Sequence, residues 1–522
     1  MSQQSHMVIQ TPALSPQRPT AIVIGAGIAG LAAALRLSVG GMSVTLLERH
    51  AHTGGKIRTV ASPAGPVDAG PTVLTLRHVF DDLFKQAGAR LEDHVTLIPQ
   101  DILARHFWSD GTQLDLHANA ETSAAKIAEF AGNKAADEFR RFNARTALLF
   151  EAFDAPMMQA ASPKFSGLVA RVLRQPSLIP AMAPLSNLAQ MLKGQFSDPR
   201  LTQLFGRYAT YVGGAPHLSP AILSLIWQAE AAGVWVVQGG MHQLTQALTK
   251  LAVSNGVTLR SQTHVNRIIL DKGQAIGVEF DRSEKLKADV ILYAGDPRAL
   301  ATGSMGEDLK SVAPQTATFP RSFSARVHSF AARPAGPELA HHNVLFADNP
   351  ESEFLDLTND RLPRAPSLYI CAEDRGQNQP TPALEKFEII SNAPATSTLR
   401  PPTDLDLWHH QIMQRIADFG ITMSPIPTSS TITTPQHFAE MFPETMGALY
   451  GQSPHGLTAS LQRPTARTPI KGLWLAGGGT HPGAGVPMAT LSARHAAEAI
   501  LSAQTSTSRS SQTAMHGGMS TA

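Results

Sequence analysis

Ala21-Ile-Val-Ile-Gly-Ala-Gly-Ile-Ala-Gly30 is the stretch on which the fold turns. Its first four residues are a short apolar run of the kind a buried parallel strand shows. A glycine turn follows at once, and then an alanine- and leucine-rich helix to Leu37. A second strand at residues 43–47 ends on Glu48, roughly 20 residues after the glycines, where a βαβ nucleotide site carries its ribose acid. Gly25 permits the tight turn, Gly27 lets backbone amides approach a pyrophosphate, and Gly30 allows close contact of helix and strand. The helix N-terminus then faces phosphate charge. Glu48 suits a ribose diol and would repel a 2′-phosphate, which favours FAD or NAD over NADP.

Beyond this unit stand Gly54, Gly55 and Lys56, then Asp68, Gly70, Pro71 and Thr72. Lys56 is a candidate for the pyrophosphate, the alternative being a solvated lysine on a surface loop. Residues 100–233 hold several helical patterns but no second nucleotide turn. A helix opens after Gly239-Gly240-Met241, with Leu244, Ala247, Leu248 and Leu251 on one face. Strand patterns then return through residues 265–293. Strands near 323–330, 367–372 and 387–391 and a helix near 405–419 make a second excursion. The chain comes back with Leu473-Trp-Leu-Ala476, the glycines Gly477, Gly478 and Gly479, and a small-residue helix with Pro487 in its first turn.

With the resemblance described below, the expected architecture is α/β: a Rossmann-like FAD-binding domain, an interleaved α+β substrate domain and a helical cap. Residues 20–99, 234–300 and 468–502 are assigned to the discontinuous cofactor domain, and 100–233 with 301–467 to the substrate domain. Residues 1–19 are expected to be flexible and 503–522 disordered.

Composition narrows the function. At 522 residues the chain has material for a large core, and 43% hydrophobic with 16% charged residues suits an ordered protein. Lys and Arg number 43 against 41 for Asp and Glu, so no field argues for nucleic acid. The lone cysteine, Cys371, can form no intramolecular disulfide, thiol pair or cysteine-ligated cluster, so redox chemistry needs a bound cofactor and a reducing cytoplasm fits. Residues 208–229 carry no charge over a spanning length, but Gly213, Gly214, Pro216 and Pro220 argue against a transmembrane helix. In residues 165–196, Leu168, Val169, Val172, Leu173, Leu178 and Ile179 alternate with Lys164, Arg171 and Arg174; this reads as an interfacial helix, with a buried core helix as the alternative. Gly451-Gln-Ser-Pro-His455 departs from a nucleophile elbow. His341-His342 and His409-His410 lack metal-site spacing, since adjacent residues rarely face one ion, and no metal is expected.

Taken together, GAGIAG (25–30), GGKIRT (54–59), DAGPTVL (68–74), GVWVVQGGMHQL (233–244), TPQHFAEMFPETMGALYG (434–451) and WLAGGGTHPGAGVP (474–487) resemble the carotenoid (phytoene) desaturase family of amine-oxidase-like flavoproteins. The resemblance covers residues 20–501. Thr480-His481 stands where many other flavoproteins carry an aspartate, as in the carotenoid branch. Residues 207–214, 339–346 and 369–375 are similar to the hydroxyneurosporene desaturase subgroup, the 1-hydroxycarotenoid 3,4-desaturases. The resemblance implies that Gly25, Gly27, Gly30, Glu48, Gly54, Gly55 and Lys56 hold the ADP and pyrophosphate of FAD, with the backbone of Val265 at the adenine. It also implies that Gly70, Pro71, Thr72, Gly478, Gly479, Thr480 and Met488 surround the ribityl and isoalloxazine end, and that the last helix points its N-terminus at the flavin pyrimidine.

The implied reaction is desaturation of an acyclic hydroxylated carotenoid by hydride transfer to flavin, with a proton lost from the neighbouring carbon. A phytoene desaturase or carotenoid isomerase is the nearest alternative, and a non-catalytic flavin- or carotenoid-binding protein is one of another class. Tyr208, Tyr211, Trp227 and Trp235 are candidates for lining a substrate tunnel, ordinary core being the alternative. No catalytic acid or base is assigned: Arg207 and Glu230 read as a structural ion pair, assistance to proton loss being the alternative. A lipid-borne substrate implies peripheral contact with the inner face of the cell membrane.

Overall fold

In the computed structural model, which describes residues 18–281, 283–395, 405–456 and 458–515, strand Thr20–Ile24 is the middle of a five-stranded sheet. The order is Leu473–Leu475, Val290–Tyr293, Thr20–Ile24, Ser43–Leu47 and Thr258–Arg260, and all four pairings are parallel. Segments far apart in sequence thus share one sheet. The reason is burial: Val23, Ile22, Ile291 and Leu292 are at most 1% exposed, so neither face of the central strands can be left to water.

Helix Ile28–Val39 covers one face. Its residues from Ile28 to Leu37 are all buried, including Arg36, whose guanidinium pairs with Asp82 at 2.8 Å. A helix buried all round must be covered on several sides. Helices His242–Ser254 and Val486–Met515 supply that cover, and the run of small residues Gly30, Ala32, Ala33 and Ala34 lets them come close. On the other face lies an antiparallel sheet of Val265–Asp271, Gln274–Phe280 and Glu284–Lys287.

A second sheet runs Thr422–Ser424, Ser324–Ala335, Glu385–Ala393, Leu368–Ala372, His342–Leu345, Ile102–Phe107 and Gln113–His117, with Ile432–Thr433 beside Ser324–Ala335. Helices Ala120–Ala131, Asn133–Phe153, Leu188–Gln195 and Pro199–Gly206 pack next to it around Phe139, Phe142, Phe196, Phe205, Tyr208 and Trp227. These rings meet edge-on or offset at centroid separations of 4.6 to 6.2 Å, the geometry in which aromatic quadrupoles attract.

The uncharged stretch 208–229 breaks into the short 3-10 helices Arg207–Val212 and Ala221–Ile226. Among the described residues no helix is long and apolar enough to cross a membrane. The tail from residue 503 was expected to be disordered, but the last helix continues to Met515, because no glycine or proline interrupts the chain between Leu501 and Gly517. Residues 1–17 and 516–522 lie outside the described residues, and with them most of the expected flexible N-terminus and the end of the tail.

Candidate functional site

The parallel strands end in backbone that cannot pair further, and a ligand crevice opens at those carboxyl ends. Here Ile24 and Gly25, Leu47 and Glu48, Tyr293 and Ala294, and Gly477 all line one cavity of about 1360 Å³. The cavity continues between the two sheets to Asn187, Gln190 and Lys193, where Lys193 and Glu351, both exposed, pair at 3.2 Å.

At its strand end the cavity has the form of a nucleotide cradle. Gly27 caps helix Ile28–Val39 without any side-chain hydrogen bond, so the first-turn N–H groups are available to an anion. A Cβ on Gly27 would meet only Gly55 Cα, at 3.9 Å, and would otherwise stand in the cavity. Gly30 is not at the wall; a Cβ there would lie 1.8 Å from the Gly25 carbonyl oxygen, so it serves the turn from behind. Glu48 is buried, with Oε2 accepting the Ala26 N–H at 2.7 Å and Oε1 the His50 N–H at 2.9 Å. Val265, Gly54 and Gly55 also line this end.

Lys56 is not the solvated surface lysine of the alternative reading. Its Nζ donates to the Leu449 carbonyl at 2.5 Å and it faces the cavity; burial pulls its pKa down to about 8, against the opposing pull of Asp296. Arg463 was not foreseen, since nothing in its local sequence marks it. Its guanidinium donates to the carbonyls of Gly478 (2.8 Å), Tyr450 and Gln452 (3.0 Å each), bracing the glycine turn, and burial lowers its pKa to about 10.

Further along, Gly70, Pro71, Thr72, Gly478 and Gly479 line the cavity. Thr72 Oγ1 lies 2.7 Å from the Tyr369 hydroxyl, which is 2.5 Å from His342 Nδ1. Thr480 and Met488 stand behind the wall. Thr480 is fully buried, its Oγ1 without a partner among the described residues. Met488 packs with Leu76, Val79 and Leu491, while its neighbours Val486 and Pro487 reach the cavity.

Of the four candidate tunnel aromatics, Tyr211 alone lines the cavity. Tyr208 and Trp227 are core: both are at most 1% exposed, and Trp227 Nε1 donates to Asn143 Oδ1 at 2.8 Å. Trp235 packs against the core under the parallel sheet. Alternation along the chain cannot reveal this, because 3-10 turns there rotate successive side chains between core and cavity. Arg207 and Glu230 do form an ion pair, Nη2 to Oε2 at 3.5 Å, yet both also line the cavity. The Tyr208 hydroxyl donates to Glu230 Oε2 at 2.5 Å, Tyr211 donates to Oε1, and burial holds both tyrosines well above the ordinary phenol range.

The adjacent histidines were expected to diverge, and they do not. His341 sits at a bend just before strand His342–Leu345, so strand alternation does not separate the two rings, whose centroids are 4.5 Å apart. One donor atom each of His341, His342 and Cys371 lies within 4.8 Å of the others, and His341 Nε2 is 3.4 Å from Cys371 Sγ.

A glycine turn leading into a bare helix N-terminus, a buried acid at the next strand end and a second glycine turn meeting it across one cavity define a dinucleotide-binding protein. The chain belongs to the flavin containing amine oxidoreductase family, whose profile matches residues 28–501. It is similar to hydroxyneurosporene desaturase of Cereibacter sphaeroides, 50% identical over 94% of this chain and 99% of that one. It is also similar to hydroxyneurosporene desaturase of Rhodobacter capsulatus, 45% identical over 92% of this chain and 97% of that one. Among solved structures, cyclohexylamine oxidase from Brevibacterium oxydans shares the fold, with TM-score 0.57 and 17% identity over 93% of this chain and 99% of that one. The cofactor is FAD, and the cradle around Gly27, Gly55 and Glu48 fits it.

Proposed function

We propose that the protein introduces the C3–C4 double bond into an acyclic 1-hydroxycarotenoid of the hydroxyneurosporene type, as an FAD-dependent oxidoreductase acting on CH–CH groups in carotenoid biosynthesis. The observation that carries this is the identity of 50% with a hydroxyneurosporene desaturase along almost the whole of both chains. Bound in the cradle, FAD supplies the two-electron acceptor for a hydride.

The chain's own residues have three tasks. Gly25, Gly27, Glu48, Gly54, Gly55 and Lys56 hold the ADP and pyrophosphate, with Val265 at the adenine. Gly70, Pro71, Thr72, Gly478 and Gly479 flank the ring, with Gly30, Thr480 and Met488 supporting that arrangement from behind the wall. The apolar surfaces of Val73, Ile226, Val344 and Phe346 keep water from the polyene and hold one C–C bond in place. As one carbon gives its hydride to bound FAD, the positive charge spreads along the conjugated chain, and the neighbouring carbon gives up its proton to water. In this reading residues 20–99, 234–300 and 468–502 serve the cofactor, and 100–233 with 301–467 the substrate.

A carotenoid reaches the cavity from lipid. Helix Phe165–Arg174 has no buried residue: Phe165 and Leu173 are 68% and 71% exposed, Leu185 nearby is 98% exposed, and Lys164, Arg171 and Arg174 lie beside them. Its partly buried Leu168 and Val172 pack against the same apolar cluster as Ile226, which lines the cavity. This is the face we assign to the inner surface of the cell membrane.

Reconstitution with FAD and liposome-borne carotenoids tests the function. Gain of one conjugated double bond on the 1-hydroxylated substrate, with phytoene unchanged, is the expected chromatogram. Conversion of phytoene instead would make the protein a phytoene desaturase. Flavin left oxidised after anaerobic mixing with either substrate would reduce it to a binding protein.

A further inference from the structure

We infer that Arg207, Tyr211 and Glu230 form the subsite for the tertiary hydroxyl at C1 of the substrate, and that this contact selects which bond lies over the flavin. The inference rests on the proposed function and goes beyond it by naming the groups that read the substrate's one polar atom.

The chemistry of the substrate fixes where that atom must go. The hydroxyl oxygen is attached two carbons from C3, so at ordinary bond lengths it lies within about 5 Å of the reacting bond. The group that binds it therefore stands at the flavin end of the cavity. Arg207, Tyr211 and Glu230 stand there. Ala229, next to Glu230, packs against the same cluster as Met488 of the last helix, whose first residues Val486 and Pro487 line the cavity. Tyr211 packs in the same cluster as Val73 and Tyr369, and Tyr369 is bonded to Thr72.

The trio also has the right unused capacity. Arg207 Nη1 donates to the Tyr211 hydroxyl at 2.7 Å and Nη2 faces Glu230 Oε2 at 3.5 Å in the ion pair, while Nε makes no hydrogen bond among the described residues. Each Glu230 oxygen accepts one tyrosine hydroxyl and keeps a further lone pair. A free donor beside a free acceptor matches a hydroxyl, which accepts and donates at once. An ion pair at the wall of a cavity built for a hydrocarbon is otherwise a cost: both charges are desolvated, and a polyene offers them nothing.

The test uses the FAD-loaded protein and three ligands, the 1-hydroxycarotenoid, its methyl ether and its 1-deoxy analogue, with binding read by quenching of tryptophan emission. The unmodified protein is expected to bind the alcohol at least tenfold more tightly than the ether or the deoxy compound, because only the alcohol can donate to Glu230. Tyr211→Phe and Glu230→Gln should each lower the alcohol-to-deoxy ratio at least threefold, the ratio being taken within each variant so that a general loss of fit cancels. A purely structural role would weaken all three ligands alike. Equal binding of the three ligands by the unmodified protein, or an unchanged ratio in both variants, overturns the subsite. Failure of the unmodified protein to desaturate the alcohol overturns the proposed function itself, whereas desaturation with an unchanged ratio removes only the subsite.

Discussion

Glu48 Oε2 accepts the backbone N–H of Ala26 at 2.7 Å, so the acid at the end of the second strand is tied to the middle of the glycine turn. In the proposed function the bond couples the acid assigned to the ribose to the turn assigned to the phosphates. Glu48→Gln loses the negative charge in both tasks. The expected outcome is FAD affinity lowered about tenfold or more, measured as flavin retained through gel filtration and by titration of the apoprotein.

Gly30→Ala places a methyl group 1.8 Å from the Gly25 carbonyl oxygen, which is backbone and cannot swing aside. Helix and strand must separate at the point where they form the cradle. Expected are a loss of about 1–3 kcal/mol in stability, seen in denaturant unfolding, and a protein purified without yellow colour.

Lys56 gives a pH dependence with a definite sign. In the free protein burial lowers its pKa to about 8, and a bound pyrophosphate raises it by supplying the opposite charge. Below about pH 8 the lysine is already charged and binding is at full strength. Above that value FAD binding must take up a proton, so affinity falls as pH rises. Titration of the apoprotein with FAD from pH 6.5 to 9.5 should show this fall, and Lys56→Met should bind weakly with a flat profile; a flat profile in the unmodified protein would separate Lys56 from the phosphates.

On the exposed helix, the pair Phe165→Asp and Leu173→Asp removes two apolar side chains that the folded protein does not bury. Thermal stability should change little, while flotation with anionic liposomes should drop severalfold. An unchanged flotation would place the membrane contact elsewhere or remove it.

Trp227 was a tunnel candidate and is core. Trp227→Ala should cost about 3–5 kcal/mol in unfolding free energy whatever carotenoid is present. A variant of normal stability with altered substrate choice would return it to the cavity wall.

What was legible in the chain was local. The apolar run 21–24, its glycines and Glu48 lie within thirty residues, and covalent geometry brings them together once a strand and a helix form. The second glycine turn was readable through the family resemblance, which implied Gly478 and Gly479 at the flavin end. Arg463 was not: its three carbonyl acceptors are on other segments, and an arginine bound to backbone oxygens leaves no pattern of its own.

The sequence by itself determined the nucleotide half and the class of cofactor, since the strand, turn, helix and acid follow from steric rules acting over short distances. Only the tertiary structure decided which side chains face the cavity. It turned Tyr211 to the wall and Tyr208 and Trp227 into the core, brought His341, His342 and Cys371 together, and set the Arg207–Glu230 pair at the cavity wall. Those choices depend on which surfaces of distant segments pack against each other, and periodicity along one segment carries no record of its partner.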